Sequence, residues 1–450
     1  MKAFDIGPLL DEGRWTGYQK LLVLAAALTI ILDGVDNQLL SVAIPALITE
    51  WSRPATAFTP VVASGLVGMM LGGAIAGVVG DRLGRRVALL GSVFVFGILT
   101  TSIRFVDDLQ TLGVLRFFAG LGLGGAMPNA AALAAEYVPR RQRPFAVTLT
   151  IVCVPLGGAL AGFVGARILP ELGWRALFLV GGLMPLALGL VLIWALPESP
   201  RFLARHRHRW PELAKLLRRM GHEVPQGSEF TDSTEAARSA SLRELFVPEL
   251  RRDTLALCAS FFFCLIAAYG AVFWLPTLLR GAGFDLATAS NGLLAFNLGG
   301  VGGALLGATA ISRVGSRLTM LAMCVGAIAG AGTIASMAVG PPPTVVLFAL
   351  LAWTGGLING TQTTMYALAA HVYPASIRAT GVGTAVAFGR IGGVLSSSAP
   401  ALAAGSPRFF MLLAGMMALV FVSLAAIGRH IPRLVKRQNP LGAQQVPEVQ

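Results

Sequence analysis

Gly80-Asp81-Arg82-Leu83-Gly84-Arg85-Arg86 is the stretch on which the reading of this chain turns. It sets one acid and three bases around two glycines, and apolar runs flank it from about residue 60 to 79 and from about 87 to 103. Each run has close to the ~20 residues that a helix needs to cross a hydrocarbon core of about 30 Å. The charged heptad therefore reads as a tight turn at a membrane surface, joining two spanning helices.

Similar apolar runs recur along nearly the whole chain. Twelve spans are expected, centred near residues 32, 69, 95, 123, 156, 185, 266, 299, 328, 357, 392 and 417. Of the 450 residues 55% are hydrophobic and only 13% charged, roughly half the charged share of a soluble domain. The first 19 residues carry Lys2, Asp5, Asp11, Glu12 and Arg14, with no small-residue cleavage site after the first apolar run, so the first span is expected to be retained.

The net charge of +13 sets topology rather than binding a polyanion, and no nucleic-acid partner is expected. Of the 35 Lys and Arg, 27 fall on the side that holds both termini, against six on the other: Arg53, Arg104, Arg167, Arg175, Arg280 and Arg408. Positive charge marks the cytoplasmic side, so both termini are expected in the cytoplasm and the chain in an inner membrane.

The long polar stretch 197–252 splits the spans six and six. The expected organisation is a cytoplasmic tail (1–19), a six-helix bundle (20–196), a cytoplasmic linker (197–252), a second six-helix bundle (253–428) and a tail (429–450). A self-comparison supports duplication. At an offset of 231, Gly68, Gly72 and Ala76 fall on Gly299, Gly303 and Gly307, and Arg82, Gly84 and Arg86 fall on Arg313, Gly315 and Arg317. At 235, Gly120, Pro139 and Arg143 fall on Gly355, Pro374 and Arg378, and Gly157 and Gly158 on Gly392 and Gly393. Small residues four apart let two helix backbones approach closely. Spans 2 and 8, which carry these stripes, are expected to pack on each other across the halves.

The Gly80 to Arg86 turn resembles the signature loop of the major facilitator superfamily. Arg116-Phe117-Phe118-Ala119-Gly120, the group Glu136, Pro139 and Arg143, and Pro197-Glu198-Ser199-Pro200-Arg201 match it too, over about residues 20 to 430. Within it, the chain is closest to the aromatic acid:proton symporter family. That likeness is carried by Asp33-Gly34-Val35-Asp36, Gly120-Leu121-Gly122-Leu123-Gly124-Gly125-Ala126-Met127-Pro128-Asn129, Trp274-Leu275-Pro276-Thr277-Leu278-Leu279, Asn297 with Gly299 and Gly300, and Gly389-Arg390-Ile391-Gly392-Gly393. Departures are Asn37-Gln38-Leu39 after Asp36, and Ser312 where the first loop has Asp81. The resemblance implies an all-α membrane protein of two six-helix bundles, and a proton-coupled carrier of an aromatic carboxylate such as benzoate or a hydroxybenzoate.

The residues themselves point the same way. Asp33 and Asp36 sit in an apolar run at i and i+3, and so are expected to project from one helix face. Carboxylates at that depth are costly unless paired or hydrated and commonly mark proton paths; the competing reading is a structural pair. Arg390 in span 11 is the candidate for the substrate carboxylate, because a guanidinium pairs with it bidentately; otherwise it snorkels. Arg116 is linked by the resemblance to proton coupling, or else pairs structurally with an acid of span 1. Asn297, Tyr269 and Phe296 are candidates to contact the substrate, although aromatics also face lipid. Asp81, Arg85, Glu136, Arg143 and His371 form a candidate cytoplasmic gate.

No Gly-x-x-x-x-Gly-Lys-Ser/Thr loop occurs, which argues against ATP-driven pumping. Five histidines are too sparse for a metal cluster, and Cys153, Cys258, Cys264 and Cys324 lie in apolar spans as packing residues. No enzyme activity and no cofactor are expected. The expected partners are a small organic anion, protons and membrane lipid, acting on a monomer. Carriage of a sugar, an organic cation or an aliphatic acid, or a transport-inactive sensor, remains the alternative.

Overall fold

In the computed structural model, the described residues are 4–224, 228–232, 242–337, 340, 344–374, 376–402 and 405–433. The end of the C-terminal tail, from 434 onward, and parts of the linker lie outside them.

The chain opens with strand β1 (Phe4–Asp5) and helix α1 (Ile6–Glu12). Five long helices follow: α2 (Gly17–Trp51), α3 (Thr59–Leu83), α4 (Arg85–Ser102), α5 (Leu109–Tyr137) and α6 (Arg143–Ala195). The linker supplies α7 (Pro200–Ala204), α8 (Trp210–Arg219) and strand β2 (Phe230–Thr231). The second half holds α9 (Pro248–Gly281), α10 (Leu286–Val314), α11 (Ser316–Ser336), α12 (Thr344–Val372), α13 (Arg378–Ser396), α14 (Ala399–Leu402) and α15 (Ser406–Ala425).

Ten helices among the described residues are long and apolar enough to cross a membrane. One of them, α6, is two spans joined at Gly173, whose φ of 73° breaks the helix in a conformation that a side chain disfavours. The more polar α13, with Arg378 and Arg390, completes the twelve. Local chemistry sets the ends. Thr16 and Gln19 close α2 with a capping box. Gly84 and Gly315, at φ of 109° and 89°, reverse the chain between α3 and α4 and again between α10 and α11.

The glycine stripes pack within each half and not between the halves, which corrects the pairing expected for spans 2 and 8. A Cβ at Gly68 or Gly72 on α3 would collide with the carbonyls of Phe117 and Leu121 on α5, and one at Gly299 or Gly303 on α10 with those of Ala352 and Gly356 on α12. The stripe was duplicated together with its partner, so each copy kept the helix against which it already packed. Between the halves, α6 packs on α10, α2 on α9 and α13 on α3.

The tail and linker, far apart in sequence, meet on the face that carries the termini. β1 pairs in parallel with β2, Phe4 opposite Phe230. Ile6 and Leu10 of α1 are buried together with Leu213, Leu216 and Leu217 from the apolar side of α8. Asp11 forms ion pairs with Arg143 and Arg201. The result is a small cap seated on the first half.

Candidate functional site

Between the halves, midway along the helices, lies a cavity of about 130 Å³. A buried water occupies roughly 10–15 Å³ on that scale, so the space suits on the order of ten non-hydrogen atoms, the size of a one-ring acid. Asp33, Tyr269, Tyr366, Asn297 and Arg390 line it, from α2, α9, α12, α10 and α13.

Asp33 and Asp36 do not share an environment. Asp33 faces the cavity, only 5% exposed, and its Oδ1 has no hydrogen-bond partner. Arg390 is near enough to act on it electrostatically. Asp36 turns into the first half, where Thr100 donates to its Oδ1 at 2.5 Å and Arg116 lies 3.5 Å from its Oδ2. Arg116 also donates to the main-chain carbonyl of Asp36. The expected common face is thus corrected. A separation of i and i+3 leaves two side chains about 60° apart around a helix, enough here for one to meet the cavity and the other to meet α4 and α5.

Arg390 reaches across to α3, where its Nη1 donates to the Met69 carbonyl at 3.4 Å. Gly73 makes the space for this, because a Cβ there would strike the guanidinium. Among the described residues no carboxylate stands within ion-pair distance of Arg390. Asn297 lines the cavity but spends its amide on Gln38, with reciprocal bonds of 2.8 and 3.2 Å between α10 and α2. Tyr269 lines the cavity and stacks on Phe273. Phe296 does not line it. One residue along a helix turns by about 100°, which points Phe296 into the second half against Gly355.

The charges read as a gate lie on the face that carries the termini. Asp81 pairs with Arg85 at 2.5 Å, and Arg85 approaches Asn129. Glu136 accepts from Ser199, while Arg143 is held by the Ala135 carbonyl and Asp11. His371 is exposed at the end of α12. The partners of Asp81, Arg85, Glu136 and Arg143 belong to the first half or its cap. Bonds joining the halves sit deeper and toward the opposite face: Ser41 donates to the Val272 carbonyl at 2.6 Å, and Gly162 abuts Ser290 and Leu294.

Sequence reasoning missed Gln38 as a partner of Asn297, and missed the α12 contribution of Asn359, Gln362, Thr363 and Tyr366. The polar run Asn359 to Thr364 inside an apolar span was the available signal.

Comparison with known proteins places this geometry in context. The family model described as Major Facilitator Superfamily matches residues 26–397. A gallate transporter of Pseudomonas putida is 34% identical over 91% of this chain and 92% of its own length. A 4-hydroxybenzoate transporter of Acinetobacter baylyi is 33% identical over 96% and 95%. The inward-open xylose transporter of E. coli superposes with a TM-score of 0.71 at 17% identity, over 92% of this chain and 97% of its own, a likeness of fold.

Proposed function

Because the chain belongs to the major facilitator superfamily, we propose that it is a secondary transporter that takes up a small aromatic carboxylate together with protons, by alternating access. The reading is carried by one observation: the cavity between the halves holds Arg390, a guanidinium with no carboxylate partner among the described residues, together with Asp33, a carboxylate with an unpartnered oxygen. Relatives named as gallate, 4-hydroxybenzoate and benzoate transporters support the same substrate class.

The two charges compete and so couple. An ionised Asp33 attracts Arg390; a proton on Asp33 removes that pull and leaves the guanidinium free to take the substrate carboxylate bidentately. Proton and anion then load together, and the site stays near neutrality both empty and loaded, which keeps the cost of moving it low in either state. Tyr269 and Tyr366 offer ring faces and hydroxyls to the aromatic end, and Asn297 joins them when its bond to Gln38 opens. Asp36 and Arg116 belong to the proton path as the pair behind Asp33, holding α2 to α4 and α5. Asp81, Arg85, Glu136 and Arg143 of the first half form a gate with His371 of the second half when this face closes. The chain works as a monomer in the inner membrane, with both termini and the cap cytoplasmic.

Asp33→Asn in proteoliposomes is expected to abolish proton-driven accumulation while preserving counterflow exchange, and Arg390→Lys to raise the KM about tenfold or more, the loss of one strong charge-assisted contact. Undiminished accumulation by Asp33→Asn would overturn the coupling. An uptake screen of benzoate-like, phenolic and aliphatic acids at acid and neutral pH tests the substrate; uptake of sugars or amines in their place would overturn the anion.

A further inference from the structure

The duplication extends past the spans. Pro200-Arg201, after the sixth span, recurs 232 positions on as Pro432-Arg433, after the twelfth. That register sets His430 where Glu198 stands in the first half. In both halves the chain leaving the last span folds back onto the glycine turn between the second and third spans.

In the first half this seat is filled from within. The Glu198 carboxylate is fully buried and lies where a Cβ of Gly84 would be. Its Oε1 accepts the main-chain N–H of Arg86 at 3.0 Å and that of Ser199 at 2.9 Å. The turn and the start of α4 thus cradle an anion.

In the second half the turn is kept and the anion is gone. Ser316 and Ile431 exchange bonds of 2.9 and 2.8 Å, which dock the chain, and the His430 Nδ1 sits 3.2 Å from the Ser316 hydroxyl. Its Nε2 is buried without a partner. Beside it is a surface cavity of about 430 Å³ lined by Arg317, His430 and Arg433, by Gly315, and by the apolar Val314, Leu318 and Leu321. No acid lines it. Asp253 of α9 is nearby but is taken up by the Gly428 N–H, with Arg252 and Arg429 alongside. Val314 and Leu318 are 50% and 64% exposed at the end of spanning helices, where the hydrocarbon of a bilayer begins.

We infer that this cavity binds the phosphate of an anionic phospholipid headgroup, with Arg317 and Arg433 holding the phosphate beside His430, and Val314, Leu318 and Leu321 meeting the acyl chains. An external phosphate replaces the carboxylate that Glu198 supplies in the first half. The mixture of basic and apolar lining favours a lipid over a soluble phosphate, since a free ion makes no use of the exposed Val314 and Leu318.

The test uses the full chain in detergent, titrated with phosphatidylglycerol or phosphatidylcholine and followed by native mass spectrometry. Phosphatidylglycerol is expected to bind preferentially. Arg317→Gln with Arg433→Gln should weaken it about tenfold or more, as loss of charge-assisted contacts does. His430→Glu, which rebuilds the internal carboxylate, should weaken it similarly, whereas Arg313→Gln, in the last turn of α10 and outside the cavity, should not. Melting curves confirm that each variant is folded. Equal binding of the two lipids, or an unchanged preference in His430→Glu, would overturn the site. Displacement of phosphatidylglycerol by millimolar inorganic phosphate would overturn the lipid assignment in favour of a soluble anion.

Discussion

At the scale of single residues, two glycines of α3 separate function from stability. A Cβ at Gly73 meets the mobile end of Arg390, which can shift, while one at Gly68 meets the Phe117 backbone, which cannot. Gly73→Ala is therefore expected to leave the melting temperature near that of the wild type and to raise the KM for the carboxylate in uptake assays. Gly68→Ala should cost about 1–3 kcal/mol, as overpacking does, visible as a lower melting temperature with little change in KM for the protein that remains folded. The depth and polarity of Asp33, Asp36 and Arg390 were legible in the sequence, because a charge in an apolar run stands out. The division of labour between the two acids was not. It depends on Thr100 and Arg116 approaching Asp36 from other helices, and spacing along α2 carries no information about them.

At the scale of elements, the spans and the turns at Gly84 and Gly315 could be read from length, hydropathy and glycine position. Which helix each glycine stripe meets could not, since small residues permit close approach without naming a partner. The cap was hidden for a different reason: α1 is too short to show a period, and the partner of β1 lies more than two hundred residues away. Inside the cap, His222 sits against Gly13 with its Nε2 buried and unpartnered, and burial holds its imidazole below the ordinary value. The undocked cap then binds a proton that the docked cap does not, so docking is strongest above the ordinary value of about 6.5, weakens as pH falls through it, and levels off below the docked value. Hydrogen-exchange protection of the α1 amides should be lower at pH 5.5 than at pH 7.5, and His222→Gln should remove most of that difference.

At the scale of the whole molecule, the bonds between the halves set which face is open. The Gln38 and Asn297 amides exchange two buried hydrogen bonds, each worth about 0.5–1.5 kcal/mol net. Opening the opposite face must break them. Gln38→Ala should therefore shift the population toward that state by roughly tenfold or more, read as faster labelling of a cysteine placed at Thr277, in the cleft on that face. The four native cysteines are buried and add little background. Unchanged labelling would show that the amide pair does not hold the halves together.

The pairing of residues 4–5 with 230–231 also orders events during synthesis. The first strand leaves the ribosome long before its partner exists, and six spans have entered the membrane by the time β2 emerges. The first half therefore inserts uncapped, with Asp11, Ile6 and Leu10 awaiting the linker. The sequence order thus places completion of the cap after the sixth span and before the seventh can settle in the membrane.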